Sequence, residues 1–415
     1  MDERVGVSSL GGRNVTLGVT LTVAFVGIWL ALLPYPMMIL PMMAERIAPA
    51  DKASVLAFAL GVGAVAGFVA QPVFGVLSDH TRGRWGMRKP WILGGMLAGV
   101  GAMALIVTAR TSWQLALGWA LTALAFNATL SGLNAVIPDQ VSREKLGLYS
   151  SIVGFTPPLG ILAGMWIARE FAPDLAAVAL AQGGLVCVMV LGFVLFADDR
   201  HLEPGRACAP DWRMLVSSFW TNPVRHPDFG FAWLSRALVL FGVTSLQTYL
   251  LFFLRDRLGL SQRDAPHAMF VCLLVATATM TVSALVFGRL SDRLRRRKAF
   301  VIGAGVGLAL GLPAILACAS LPQFLAVVVW IGIAQGAYLA VDLALVTEVL
   351  PDRNAAAKDM GVFHLANVAP QMILPLCTPW LTASDGAIRY GMLFGVAGGV
   401  TLLGAVVIVF VKSVR

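Results

Sequence analysis

Apolar segments of about twenty residues or more follow one another along the whole chain, separated by short polar breaks. A helix of that length crosses the hydrocarbon core of a bilayer. Hydrophobic residues make up 58% of the chain and charged residues 13%, which leaves too little polar surface for a water-soluble domain. No segment alternates apolar and polar residues as a barrel strand does. The sequence therefore predicts an all-α, multi-pass membrane protein.

Twelve such segments are present, and the first is too long for a secretory signal. They cover residues 15–40, 53–78, 90–109, 112–137, 146–168, 175–197, 229–254, 266–290, 299–319, 323–349, 359–382 and 388–411. With a cytoplasmic N-terminus, 22 of the 31 Lys and Arg residues fall in cytoplasmic segments and 8 in external ones. Because cytoplasmic loops are enriched in these residues, we expect the cytoplasmic (inner) membrane, with both termini inside. The net charge of +9 then reflects topology and anionic lipid, and no nucleic acid is needed to explain it.

The chain repeats itself after 213 positions. The sequence GVLSDHTRGRWGMRK follows the second segment, and GRLSDRLRRRK, with the same Leu-Ser-Asp register, follows the eighth. The same offset relates Pro138-Asp139 to Pro351-Asp352. The longest polar break, 198–227, falls after the sixth segment. These features predict two pseudo-symmetric six-helix halves, 1–197 and 228–415, joined by a cytoplasmic linker at 198–227.

The repeated loop resembles the signature loop of major facilitator superfamily transporters. Its longer form in the first half is similar to the branch of sucrose-type and glycoside-pentoside-hexuronide cation symporters. An aspartate at the end of a membrane helix is costly unless it is paired, so a loop of this kind can lock one face of a transporter shut. The predicted gating residues are Gly75, Asp79, Arg82, Gly86, Arg88 and Lys89 in the first loop and Gly288, Asp292 and Arg293 in the second.

Two opposite charges lie inside predicted spans and indicate the coupling site. Arg236 is in the seventh span and Asp342 in the tenth, at broadly similar depths on the cytoplasmic side of the midplane, so they could pair. A proton carrier needs a carboxylate that dry surroundings favour in the neutral form and a nearby cation favours in the charged form. Asp342 with Arg236 meets both conditions, and His364 is a second candidate proton carrier.

The family resemblance implies that spans 1, 4, 7 and 10 line a central cavity. Polar or aromatic side chains recur at helical spacing on these spans and on span 11. The candidate substrate-binding residues are Phe25, Trp29, Tyr35, Asn127, Ser131, Asn134, Thr244, Gln247, Gln335, Tyr338, Asn367 and Gln371. Each has a packing alternative, because a membrane Asn or Gln is as often a bond between helices and an aromatic ring is often core or interface.

Four Gly-x-x-x-Gly pairs, which begin at Gly63, Gly160, Gly307 and Gly395, predict close helix contacts. Prolines in spans 1, 5 and 11 predict kinks in those helices. Such contacts and kinks suit two halves that rock about a central site.

Together these features predict a monomeric secondary transporter for a small polar solute, by resemblance a sugar or glycoside, coupled to protons. Sodium is less favoured because spans 1, 2 and 4 contain no Asp or Glu. Two alternatives stay open: a proton-antiporting exporter of a drug or metabolite, and a transport-dead sensor or assembly factor. An enzyme is not predicted, since no nucleophile–base pair or phosphate-binding loop is visible. The spacing of the five cysteines suggests neither a metal site nor a disulfide framework, and no cofactor is expected.

Overall fold

The computed structural model of the chain describes residues 4–81, 85–141, 146–197, 225–294, 296–349, 356–383 and 386–411. In these ranges the chain forms fourteen α-helices. The helices are α1 (Arg4–Leu32), α2 (Leu40–Ile47), α3 (Lys52–Asp79), α4 (Lys89–Val107), α5 (Ser112–Gln140), α6 (Leu146–Gly154), α7 (Thr156–Phe171), α8 (Leu175–Phe196), α9 (Pro227–Asp256), α10 (Asp264–Leu294), α11 (Arg297–Ala314), α12 (Leu321–Val349), α13 (Ala356–Leu381) and α14 (Tyr390–Val407).

A helix lies over each of the twelve apolar segments. Among the described residues, eleven helical stretches are long and apolar enough to cross a membrane. Helix α13, which contains Pro370, Pro375 and Pro379, is not one of the eleven. The prediction of an all-helical, multi-pass chain is therefore confirmed at eleven spans, and a twelfth crossing stays a prediction.

Local sequence explains where several helices begin and break. The Thr111 side chain accepts a hydrogen bond from the Gln114 amide at the start of α5, and Asp174 caps α8 in the same way. These caps satisfy amides that have no partner inside the helix. A π-helical turn, Tyr35–Ile39, follows Pro34 between α1 and α2. Phe155 separates α6 from α7, just before the Pro157-Pro158 pair.

The contacts divide the chain into two compact units. The first comprises Met1–Ile47 and Phe58–Asp211, and in it α1 packs against α7 and α8 while α4 packs against α5 and α8. The second comprises Ala48–Ala57 and Trp212–Arg415. In the second unit α12 packs against α10 and α11, and α9 packs against α13 and α14.

Glycines allow helices to approach closely at some of the predicted pairs and not at others. A Cβ on Gly164 would lie 2.1 Å from the Leu30 carbonyl oxygen, so the close contact predicted for this pair is confirmed, and its partner helix is α1. The contact predicted at Gly395 and Gly399 is wrong, because a Cβ at either position meets nothing within 4 Å. Gly398, and not Gly395 or Gly399, lies on the face of α14 that packs against α11. A Cβ on Gly398 would lie 2.8 Å from the Ala309 carbonyl oxygen.

Large apolar side chains are exposed along many helices. Leu180 is 76% exposed and Leu195 is 75% exposed, both on α8. Such surface is unfavourable in water, but it costs nothing against lipid tails. Helices are suited to this solvent because every backbone polar group in a helix interior is bonded within the helix. The apolar surface therefore agrees with a chain that spans a membrane many times.

Candidate functional site

A buried ion pair lies inside the second unit. The Arg236 guanidinium on α9 donates from Nη1 to Oδ2 of Asp342 on α12. Arg236 also donates from Nε to Oδ1 of Asn367 on α13, over 2.8 Å. Its Cζ atom lies 4.7 Å from the centre of the Phe363 ring, also on α13. One arginine therefore joins three helices, and the pairing predicted from the sequence is confirmed.

The surroundings of this pair are dry. The Asp342 side chain is fully buried, and the Arg236 side chain is 9% exposed. Tyr338, one helical turn before Asp342, is also fully buried beside the pair. Within the described part of the chain, Oδ1 of Asp342 and the Tyr338 hydroxyl make no hydrogen bond of good geometry. The Tyr338 hydroxyl nevertheless lies close enough to interact with the Asp342 carboxylate.

Neighbouring residues hold α9 in the rotation that points Arg236 inward. Ser235 donates a hydrogen bond from its hydroxyl to the Gly404 carbonyl of α14, over 2.7 Å. Trp233 donates from its indole nitrogen to the Val362 carbonyl of α13, over 2.9 Å. A Cβ on Gly404 would lie 2.9 Å from the Ser235 carbonyl oxygen, so α14 needs a glycine at this contact. These contacts restrain the rotation of α9 about its own axis.

The other polar candidates of the second unit lie on the same helices. Thr244, Gln247 and Gln335 are partly exposed, and Gln371 is exposed. Asn367 is bonded to Arg236, so it belongs to the ion-pair cluster. The side chain of His364 lies outside the described residues.

The polar stripe of α5 in the first unit serves partly to join helices. Asn127 donates from its amide to the Ala123 carbonyl of its own helix, over 2.7 Å. Ser131 donates to the Gln71 carbonyl of α3, over 3.2 Å. Asn134 is exposed. The packing alternative therefore describes the contact of Ser131 with α3, whereas the Asn127 bond stays within α5.

The aromatic candidates of the first unit are mostly buried. Phe25 is buried and Trp29 is partly exposed. Tyr35 stacks on Trp119 with the ring centres 6.3 Å apart and the planes 3° from parallel. The Tyr35 hydroxyl is buried and makes no hydrogen bond in the described part of the chain. Trp119 was not predicted from the sequence. The indole has room because position 63 is glycine, where a Cβ would lie 2.1 Å from Cδ1 of Trp119.

The first copy of the repeated loop forms a charge network around Arg88. Arg88 donates from Nη1 to Oδ1 of Asp79 over 2.6 Å and from Nε to Oδ2 of Asp139 over 3.0 Å. The same guanidinium donates to the Ser78 hydroxyl over 2.5 Å. Gly86 turns the chain into this position with φ of 95°, a conformation that other residues rarely adopt. The ends of α3, α4 and α5 are thus tied together.

Asp139 and Ser78 were missed as partners of Arg88 in the sequence. The signal for Asp139 was present, because Pro138-Asp139 recurs at the same offset as the loop itself. Lys89 is the first residue of α4. A Cβ on Gly75 would lie 3.4 Å from the Ser131 hydroxyl oxygen. Arg82 lies outside the described residues.

The second copy of the loop is more open. Asp292 and Arg297 form an ion pair with a longer separation of 3.5 Å, and the Asp292 side chain is 69% exposed. Arg293 is exposed, and Gly288 faces Ala340 of α12. The two copies share a sequence pattern, but the first buries its arginine and the second leaves its charges near the surface. In the described residues no group of three His, Cys, Asp or Glu side chains is arranged to hold a metal ion.

Comparison with known proteins gives the family. The family model of the Major Facilitator Superfamily matches residues 17–283 and 273–415. An uncharacterized symporter of Synechocystis sp. is 33% identical over 169 residues, which cover 35% of this chain and 30% of that protein. Solute carrier family 45 member 3 of Macaca fascicularis is 26% identical over 195 residues, 38% of this chain and 35% of that protein. The alignments thus span about a third of the length of these curated relatives.

The solved structure of the nucleoside transporter NupG has the same fold. It superposes with a TM-score of 0.74 and covers 95% of this chain and 99% of its own, at 14% sequence identity. The peptide transporter POT superposes with a TM-score of 0.69 at 13% identity. At such identities the likeness concerns the fold, which hosts different substrates.

Proposed function

Because the chain belongs to the Major Facilitator Superfamily, we propose that this membrane transporter moves a small polar solute, a sugar or glycoside, by proton-coupled alternating access. The observation that carries the proposal is the buried pair of Arg236 and Asp342. Buried charges are expensive in a membrane, and a chain that needed only packing would gain nothing from them.

In the proposed cycle, the proton moves on and off the Asp342 carboxylate. Protonation removes the negative charge and with it most of the attraction for Arg236, which stays charged and keeps Asn367 and Phe363 as neighbours. Loss of the proton restores the ion pair. The two forms favour different arrangements of α9, α12 and α13, so the proton can bias the conformational equilibrium. His364 is the second candidate carrier, and the proton is favoured over sodium because spans 1, 2 and 4 lack acidic residues.

A polar solute is supported by the side chains left with open bonding capacity. Asn134 and Gln371 are exposed, and Thr244, Gln247 and Gln335 are partly exposed. The buried Tyr35 hydroxyl supplies a donor next to an aromatic stack. Hydroxyl and amide groups beside aromatic faces are suited to a sugar, which has polar edges and apolar faces. The resemblance to the sucrose-type branch and the symporter relative point the same way.

We further propose that the chain crosses the cytoplasmic (inner) membrane twelve times, as two six-helix halves with both termini inside and residues 198–227 as linker. The Asp79 and Asp292 loops then close the cytoplasmic side. The network around Arg88 supports this role in the first half, because it holds the ends of α3, α4 and α5 together, so that they move as one body when that side opens or closes. A monomer contains all the proposed parts.

The experiment is uptake into purified proteoliposomes under an imposed pH gradient, with monosaccharides and disaccharides as solutes. Wild type is compared with Asp342→Asn and with Glu170→Gln, an exposed acid beside Arg169 that serves as matched control. We expect wild type and Glu170→Gln to accumulate a sugar, while Asp342→Asn exchanges it without accumulation. If sugars do not move and a lipophilic drug is driven by the opposite gradient, the exporter alternative replaces this proposal.

A further inference from the structure

An apolar groove of about 420 Å³ opens on the surface of the second unit, where α10, α11 and α12 meet. Its walls are almost entirely apolar. The groove is lined by Phe287 of α10, by Phe300, Gly303 and Gly307 of α11, and by Trp330 and Ala334 of α12. All three helices are among the stretches able to cross a membrane, so this surface faces lipid tails and not water.

Small residues on α11 open the groove, and aromatic rings mark its ends. A Cβ on Gly303 would meet nothing within 4 Å, whereas a Cβ on Gly307 would lie 3.3 Å from Ala334. Trp330 lies across one end, where its indole nitrogen donates to the Gly307 carbonyl over 2.8 Å. At the other end the rings of Phe287 and Phe300 lie 6.2 Å apart, edge to face. The open space therefore runs lengthwise along α11.

The length of this space suits one acyl chain. From residue 299 to residue 307, α11 rises about 12 Å, and the hydrocarbon of a single leaflet is about 15 Å thick. An acyl chain in the groove would thus contact the protein through most of one leaflet.

Two arginine residues lie near the end of the groove where α11 begins. Arg297, the first residue of α11, precedes Ala304 by seven residues, or two helical turns, so it lies on the same face of α11 as the groove. Arg296 is the residue just before the helix. Arg296 is exposed, and Arg297 is partly exposed with its long ion pair to Asp292. Basic residues at the membrane surface attract the phosphate of anionic lipids.

We propose that this groove is a binding site for one anionic phospholipid. The acyl chain lies along α11 between Phe300 and Trp330, and Arg296 and Arg297 attract the net negative charge of the headgroup, which the choline ammonium cancels in a zwitterionic lipid. A zwitterionic lipid with the same tails gains the apolar contact, but its headgroup carries no net charge for the arginines. In the first copy of the repeated loop, by contrast, Arg88 is enclosed by Asp79 and Asp139.

The test is native mass spectrometry of the purified full chain in detergent, titrated with phosphatidylglycerol or with phosphatidylcholine of identical tails. We expect wild type to retain one phosphatidylglycerol more tightly than phosphatidylcholine. Gly303→Phe fills the groove and should abolish this retention for both lipids. Arg296→Gln and Arg297→Gln should each weaken phosphatidylglycerol about fivefold and leave phosphatidylcholine unchanged.

Two matched variants separate the site from general lipid contact. Gly192→Phe adds the same side chain on α8, where a Cβ also meets nothing within 4 Å. Arg263→Gln removes an exposed arginine at the opposite end of α10. Neither should change retention. Equal retention of the two lipids by wild type, or equal losses in the matched variants, would overturn the proposal. If Gly303→Phe does not fold, the two arginine variants against Arg263→Gln decide it.

Discussion

Removing one partner from the pair of Arg236 and Asp342 should destabilise the protein unequally, depending on which partner is removed. In Asp342→Asn, the guanidinium stays charged at a site that is 9% exposed, with Asn367 and Phe363 beside it. Leaving one member of a buried pair uncompensated costs about 3–5 kcal/mol. In Arg236→Gln, the orphaned carboxylate can take a proton and become neutral, so its cost should be smaller and should fall as the pH is lowered.

A double-mutant cycle measures this coupling. Thermal or denaturant unfolding in detergent is followed for wild type, Asp342→Asn, Arg236→Gln and the double variant, at several pH values. The double variant carries no buried charge, so it should be more stable than the sum of the single losses predicts, by about 1–3 kcal/mol. The exposed neighbours Arg169 and Glu170 provide a control cycle, with an expected coupling below about 1 kcal/mol. Additive losses at the buried pair, or a cost of Arg236→Gln that does not change with pH, would refute the reasoning.

Three further variants test contacts elsewhere in the chain. Asp139→Asn removes one carboxylate from Arg88, whose side chain is 7% exposed, and should lower the free energy of unfolding by about 1–3 kcal/mol. An unchanged melting temperature would mean that the bond from Arg88 to Asp139 does not stabilise the protein. Gly86→Ala places a Cβ at φ of 95° and should cost about 1–3 kcal/mol in the same melting assay, whereas no loss would mean that the loop relaxes. Lys52→Met breaks the 2.6 Å ion pair to Asp256. Because that pair is partly exposed, the free energy of unfolding should fall by about 1 kcal/mol or less, and by less still in high salt. A decrease that does not depend on salt would point to lost packing instead.

The candidate site shows where sequence reasoning succeeds for a membrane chain. Arg236 and Asp342 are opposite charges deep in spans that otherwise contain few charged groups. Because an isolated charge in hydrocarbon is so costly, each charge needs a partner, and few partners are available. Their pairing could therefore be predicted without coordinates. Asn367 had many possible partners, and only the packing of α13 against α9 assigned it to Arg236.

The class of the protein, the positions of its helices, the repeat and the pair of buried charges could all be inferred from the sequence. These properties depend on the length and polarity of each segment, which are read along one dimension. Tertiary structure alone decided which face of each helix packs: Gly398 and not Gly395, Asp139 on Arg88, Trp119 on Tyr35, and the groove beside Gly303. Nearly uniform apolar helices carry little periodic signal, so their rotation is set by shape and by contacts between distant residues.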